Sequence, residues 1–384
     1  MTTVTDMGAR HWVGTWACGP QLTEPDNLPP APGLSGNTLR QVVQGSIGGD
    51  RLRVRLSNAY GEAPLTLRSA HLARSASGNA GAIDTATDQV LTFGGAASRV
   101  LAPGETAFSD PLDFAVSPLT QLSITIQFGA VPRAVTGHPG SRTTSYLQPG
   151  NAVDAAALPN AVTTDHWYCV TGIDVLAGSA SAALITLGDS LTDGRGSTTN
   201  GNDRWPDNLA RRLHANAATR GIAVLNQGIG GNAVLSGGLG PTALERFERD
   251  VLEQSGGRWL IVLAGVNDIG MSRDPAIPSQ LSAAFHSMIR AAHERGLLAY
   301  GVPILPFGGS AYFSPDQERA RLAVNDWIRT SHHFDAVIDL DAVLRDPAQP
   351  ARLLGLYDCG DHLHLSVAGY QRLADSIDLR LFTR

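Results

Sequence analysis

Two segments in the first half of the chain alternate apolar and polar residues strictly. In residues 51–56 (RLRVRL), Leu52, Val54 and Leu56 face one way and Arg51, Arg53 and Arg55 the other. In residues 122–128 (LSITIQF), Leu122, Ile124, Ile126 and Phe128 alternate with Ser123, Thr125 and Gln127. A period of two predicts strands with one buried and one wet face. PLTLRSAHL and DQVLTF lie between them, punctuated by Gly, Pro and Asn. Short strands with regular turn signals predict an antiparallel sandwich or jelly roll.

The pattern changes near residue 178. AGSASA (177–182) is small and flexible in character, as suits a domain junction. Beyond it, apolar runs at 183–187, 222–226, 259–264, 298–304 and 336–340 alternate with amphipathic helical patterns. In 318–330, Ala320, Ala323, Val324, Trp327 and Ile328 share a face; Val367, Tyr370, Ala374, Ile377 and Leu381 do so in a last helix. Repeated β-α alternation predicts a parallel sheet covered on both faces. The expected organisation is therefore an all-β domain over 1–178 and an α/β domain over 179–384. Chemistry in such a sheet is expected where the strands stop, at their carboxyl ends.

Composition changes the picture mainly by exclusion. The 384 residues are 43% apolar, ample for a sizeable core, and the 42 glycines and 22 prolines agree with a turn-rich first half. All 29 basic residues are arginine. A chain without lysine has no Schiff-base lysine, no phosphate-loop or kinase lysine, and no Ser-x-x-Lys nucleophile. A GC-rich genome explains the bias, and the exclusions hold regardless. The net charge is −6 with scattered arginines, which gives no nucleic-acid footprint. No apolar run is long enough to span a bilayer. Residues 1–10 carry no hydrophobic leader, so the sequence as it stands reads as cytoplasmic, or secreted had a leader been removed. Cys18, Cys169 and Cys359 are too dispersed for a zinc site or disulfide framework, although Cys18 and Cys169 are candidates to pair.

Four strand ends carry candidate chemistry. GDSLTDG (188–194) places Ser190 in the first turn, either as a nucleophile awaiting a base or as a helix N-cap. NQGIGGN (226–232) is a glycine turn that brings backbone N–H groups close to a ligand, or simply a turn. A third reading takes Gly228, Gly230 and Ala233, with Glu245 or Glu248 downstream, as a dinucleotide fingerprint, but it follows the second strand of the unit rather than the first. GVND (265–268) offers the Asn267 amide to a developing oxyanion and Asp268 as a loop brace; the alternative is an Asx-turn. In DCGDHLHLSVAGY (358–370), Asp361 stands three residues before His364, a spacing that lets a carboxylate orient an imidazole. The rival readings are His364 merely leading into a helix capped by Ser366, a metal set of Asp361, His362 and His364, and Cys359 as nucleophile. His362 is the obvious decoy for His364. The elbow G-x-S-x-G is absent, so an α/β-hydrolase fold is not indicated.

Taken together, GDSLTDG, NQGIGG, GVND and DHLH resemble the four blocks of the SGNH (GDSL) hydrolase superfamily over roughly residues 183–384. The resemblance implies a flavodoxin-like three-layer domain with a five-stranded parallel sheet. It implies Ser190 as nucleophile and first oxyanion donor, Gly231 and Asn267 as the other donors, His364 as base and Asp361 as its partner. Leu365 stands where the family often has proline. WVGTW (12–16), TLRQVVQGSIGGDRLRVRLSNAYGEAPL (38–65) and RWPDNLARRL (204–213) resemble GDSL esterases with a preceding β-sandwich, some of which are carbohydrate acetylesterases. Trp12, Trp16 and Trp205 then either contact sugar or pack internally.

The resulting expectation is a serine esterase acting on short acyl or acetyl esters, small or glycan-linked, with no cofactor, no metal and no nucleic-acid partner. A lipase or lysophospholipase is the alternative within the class. A dinucleotide-dependent oxidoreductase and a non-catalytic glycan-binding protein are the alternatives outside it.

Overall fold

The computed structural model describes residues 9–76 and 81–383. Residues 1–8, which carry most of the leader reading, lie outside them.

The first half forms antiparallel sheets. One has five strands, with Val170–Gly178 between Arg10–Ala17 and Gly49–Ser57, and Thr106–Phe108 and Leu112–Val116 beyond. A second has seven, with Gln121–Phe128 between Thr38–Gln44 and Leu65–Arg74. A third sheet has three short strands. The predicted strands are present; the polar face of Gly49–Ser57 is part-exposed, whereas that of Gln121–Phe128 is covered. Leu52, Val54 and Leu56 are fully buried, as the alternation requires. On the opposite face Arg53 donates to Asp174 and to Ser255 Oγ, and Arg55 donates to Gln254 of the second half. In Gln121–Phe128 both faces are buried. There Thr125 accepts from Arg40 and Ser123 pairs with Ser75, so the polar residues are satisfied internally.

The second half is built on a five-stranded parallel sheet. Its order runs Ile222–Gly228, Ala182–Gly188, Gly257–Leu263, Leu298–Gly301 and Ala336–Val337. The continuous apolar runs follow from burial on both faces. Two predicted strands are shortened. The fourth stops at Gly301, and the fifth at Val337, because Leu340 opens a helix capped by Asp339. The helix Pro315–Thr330 buries Val324 and Ile328 and half-buries Ala320 and Trp327, but Ala323 is exposed. The last helix ends at Asp375 with Val367 exposed; Ile377 and Leu381 reach the core from the segment after it.

The expected flexible junction is instead a tight turn. Ser181 N–H donates to Gly178 O (2.9 Å) and Ala182 N–H to Gly221 O (3.2 Å) as the next strand begins. The two halves also share one apolar cluster. Gly14 N–H donates to Ser255 O (2.9 Å), and Val224 N–H to Ser46 Oγ (3.0 Å). Trp16 and Trp205 are buried in packing, and Trp12 lies against the Arg53 guanidinium, so none of the three lines the cleft described below. Cys18 and Cys169 are both free and buried; burial pushes the Cys169 thiol up to about 12.

Candidate active site

The central strand of the parallel sheet ends at Gly188, and the chain turns immediately into a short helix that starts at Ser190. Asp189 caps that helix by accepting from Leu191 N–H (3.0 Å), so the helix cap in GDSL is Asp189 rather than Ser190. Burial pushes the Asp189 carboxyl up to about 7; the Leu191 amide opposes this and the Asp268 charge adds to it. Ser190 is thereby left with its hydroxyl directed at an imidazole.

That imidazole is His364, whose Nε2 lies 2.8 Å from Ser190 Oγ. Its Nδ1–H donates to Asp361 Oδ2 at 2.6 Å. Asp361 Oδ1 also accepts the backbone N–H groups of His364 (2.8 Å) and Leu363 (3.0 Å). These four atoms fix the tautomer: a carboxylate accepts only, so Nδ1 carries the proton and Nε2 faces the serine as a base. Partial burial raises the affinity of Asp361 for a proton, but the His364 amide and ring and the Leu363 amide outweigh it and hold the carboxyl well below its usual range. Burial lowers His364 below the ordinary imidazole value of 6.5, against the opposing Asp361 contact; Arg195 and Arg142 lower it further.

The decoy is separated from the site. His362 takes a left-handed backbone (φ 63°), is half exposed, and pairs with Asp358 Oδ2 at 2.6 Å. Asp361, His362 and His364 therefore do not converge as a metal set, since both nitrogens of His364 are already engaged. Cys359 sits in the same loop with its thiol pushed up, chiefly by partial burial, which makes it a poor nucleophile.

Gly231 and Asn267 reach the same cleft. Gly231 has a left-handed backbone (φ 69°), and a Cβ there would meet Leu239 at 3.1 Å. Its carbonyl is fixed by Leu239 N–H (2.9 Å). Asn267 is oriented from both ends: Nδ2 donates to Asn232 O (2.8 Å), and Oδ1 accepts from Tyr312 Oη (2.9 Å). One amide hydrogen remains for a ligand. Asp268 braces the intervening loop as its spacing suggested, accepting from Val234 and Leu235 N–H at 2.9 Å each. Buried Arg246 ties the strand ends together by donating to the carbonyls of Gly188 and Gln227 and to Asn232 Oδ1.

Two glycines of the turn are engaged within the protein. A Cβ on Gly228 would fall 2.2 Å from Asp193 N, so this glycine permits close packing against the serine turn. Gly230 N–H is taken up by Asp193 Oδ2 (2.9 Å).

The cleft, of about 380 Å³, has walls from both halves of the chain. Gln21, Glu24, Asn27, Arg142 and His166 come from the first; Arg195, Tyr312 and Leu363 join the serine and histidine from the second. The sequence reading missed a further link. His138 Nε2 lies 3.0 Å from Asp193 Oδ1, and its Nδ1 lies 2.9 Å from Gly19 O. Asp193 thus connects His138 of the β region to Gly230, next to Gly231. No signal in the sequence marked His138, because its partner is 55 residues away on another element. Asp193 was visible as the last acid of GDSLTDG.

Residues 186–372 match the family model of the GDSL-like lipase/acylhydrolases. This part of the chain is a GDSL-like domain. The GDSL domain so defined carries Ser190, Gly231, Asn267, Asp361 and His364. Solved structures similar to the chain include a member of the lipolytic G-D-S-L family from Veillonella parvula (19% identity, 53% of this chain and 100% of that one, TM-score 0.41). Others are a lipase/acylhydrolase from Enterococcus faecalis (20%, 53% and 95%, 0.41) and the acetylxylan esterase Axe2 from Geobacillus stearothermophilus (22%, 52% and 94%, 0.40). No curated protein matches the chain.

Proposed function

We propose that this chain, through its GDSL-like domain, is a carboxylic ester hydrolase that releases short acyl groups, acetyl above all, from small or glycan-linked alcohols. The observation that carries the reading is the Ser190–His364–Asp361 chain of contacts, 2.8 and 2.6 Å long, opening on a cleft shared with Gly231 and Asn267. Ser190 Oγ attacks the ester carbonyl as His364 Nε2 takes its proton, and Asp361 stabilises the imidazolium. The backbone N–H groups of Ser190 and Gly231 and the Asn267 amide hold the oxyanion. His364 then returns the proton to the departing alcohol. Water, activated by the same imidazole, attacks the acyl-serine and frees the acid. No step needs a metal or cofactor. The polar wall of Gln21, Asn27, Arg142 and His166 favours a hydroxylated alcohol over a lipid. We also propose that the functional division of the chain falls between residues 178 and 179, with the β region serving as a wall of the cleft.

Two measurements test this. Covalent labelling by a phosphonofluoridate, followed by peptide mass spectrometry, is expected at Ser190; labelling elsewhere with Ser190 untouched refutes the assignment. A panel of 4-nitrophenyl esters of rising chain length beside acetylated xylan is expected to favour acetyl, and a preference for long chains would turn the reading toward a lipase or lysophospholipase.

A further inference from the structure

Two guanidinium groups line the cleft with Ser190 and His364, and the reaction above uses neither: Arg142 from the β region and Arg195 from the serine loop. Neither is paired with a carboxylate among the described residues. The two other acids that line the cleft are satisfied elsewhere. Glu24 accepts from Gln21 and Asn27, and Asp193 accepts from His138 and Gly230.

Arg142 is not built like an ordinary solvated surface arginine. Its backbone is left-handed (φ 52°), which costs energy for a residue with a Cβ. Its segment is held at several points. His138 is fixed to Asp193, Ser141 Oγ donates to Asp165 O (2.7 Å), Arg142 O accepts from Asn200 N–H (2.9 Å), and Thr144 N–H donates to Asn200 Oδ1 (2.8 Å). Its Nε is buried without a hydrogen-bond partner. A buried donor left unmade is costly. Arg195 is anchored through its backbone: its N–H donates to Ser190 O (3.0 Å), and its carbonyl accepts from Tyr370 Oη (2.7 Å). Both cations are thus attached to held backbone, which lowers the entropic cost of gripping a ligand.

We propose that Arg142 and Arg195 form a subsite for an oxyanionic group of the substrate, so that the preferred ester carries a carboxylate, phosphate or sulfate near the scissile bond. Guanidinium forks match the paired oxygens of such groups. The inference rests on the ester-hydrolase reading and deepens it: Arg142 of the first half and Arg195 of the second would together select the substrate that the second half cleaves.

The test compares kcat/KM within two matched pairs. The first pair is 4-nitrophenyl pentanoate and mono-4-nitrophenyl glutarate, which places the charge on the acyl side. The second is 4-acetoxybenzamide and 4-acetoxybenzoate, which places it on the alcohol side. In at least one pair the anionic member should be favoured about tenfold. That ratio should fall several-fold in Arg142→Gln and in Arg195→Gln, survive in part in Arg142→Lys, and shrink at high salt. A wild-type ratio near one in both pairs, or a ratio unchanged in both glutamine variants, overturns the subsite. Failure to cleave any of the four esters would instead defeat the hydrolase reading. The subsite is then read by calorimetric titration of Ser190→Ala protein with the members of both pairs, where equal affinity within each pair overturns it.

Discussion

The two halves of the molecule place their polar residues by different rules. In the α/β half, every proposed reacting group stands at the carboxyl end of a parallel strand or in the loop before the last helix, within one short motif. In the β half, the residues at the cleft come from dispersed positions: Gln21, Glu24, Arg142 and His166 share no motif and meet only through folding. On the proposed reading, the first arrangement supplies the reaction and the second limits what can approach it. The His138–Asp193 contact joins the two, because it links the β region to the loop that carries Gly231.

The sharpest way to break this division is at the base. His364→Ala is expected to lower kcat by about 10³-fold or more, whereas His362→Ala should stay within a few-fold of wild type. A dead His362 variant would move the site by two residues and detach it from Ser190. Next in size, Asn267→Ala should lower kcat by about 10²–10³-fold, the scale of one oxyanion donor. An unaltered kcat would remove Asn267 from the hole and leave the Tyr312 contact without a role.

The link between the halves should show a smaller effect of a different kind. His138→Ala leaves buried Asp193 with only the Gly230 amide as partner, which is expected to cost about 1–3 kcal/mol of stability by denaturant unfolding. In the protein that remains folded, kcat should fall more than KM rises, because the oxyanion loop loses its support. His138→Gln, which keeps a donor toward Asp193, should recover part of both. If the alanine variant unfolds easily but turns over normally, His138 is an anchor of the β region alone.

The smallest effect is a shift of the pH profile. His364 must be neutral to act as a base, and burial, helped by Arg195 and Arg142, lowers its proton affinity. The acid limb of kcat/KM should therefore have its midpoint below 6.5, with activity rising as pH rises through it. Arg142→Gln removes a positive charge that disfavours the imidazolium, so the limb should move up. An unmoved limb would mean that Arg142 does not act on His364.

Much of the reacting half was legible in the sequence, and the reason is local. Continuous apolar runs alternating with amphipathic helices specify a covered parallel sheet, and such a sheet collects its strand ends along one edge. GDSLTDG, NQGIGG, GVND and DHLH are each a few residues long and each carries its own turn chemistry. Where the reading erred, tertiary contacts had overridden a local signal. Ser123 and Thr125 look solvent-facing by alternation, yet they are buried with Ser75 and Arg40 as partners, and Arg53 and Arg55 are part-covered by contacts to Asp174 and to Gln254 and Ser255 of the other half. The 177–182 stretch looks like a linker, yet it is a turn because both halves share one core.

The sequence alone therefore determined the parallel sheet and the absence of lysine chemistry, and it offered Ser190, His364 and Asp361 beside their rival readings, since each depends on residues close together along the chain or on composition. Only the tertiary structure decided that Asp189 rather than Ser190 caps the first helix, that His362 turns away to Asp358, and that His138, Tyr312, Arg142 and Arg195 gather around the cleft. Those outcomes depend on which side chains packing brings within about 3 Å of one another, the reach of a hydrogen bond. Contacts between residues far apart in the chain leave no periodicity to read.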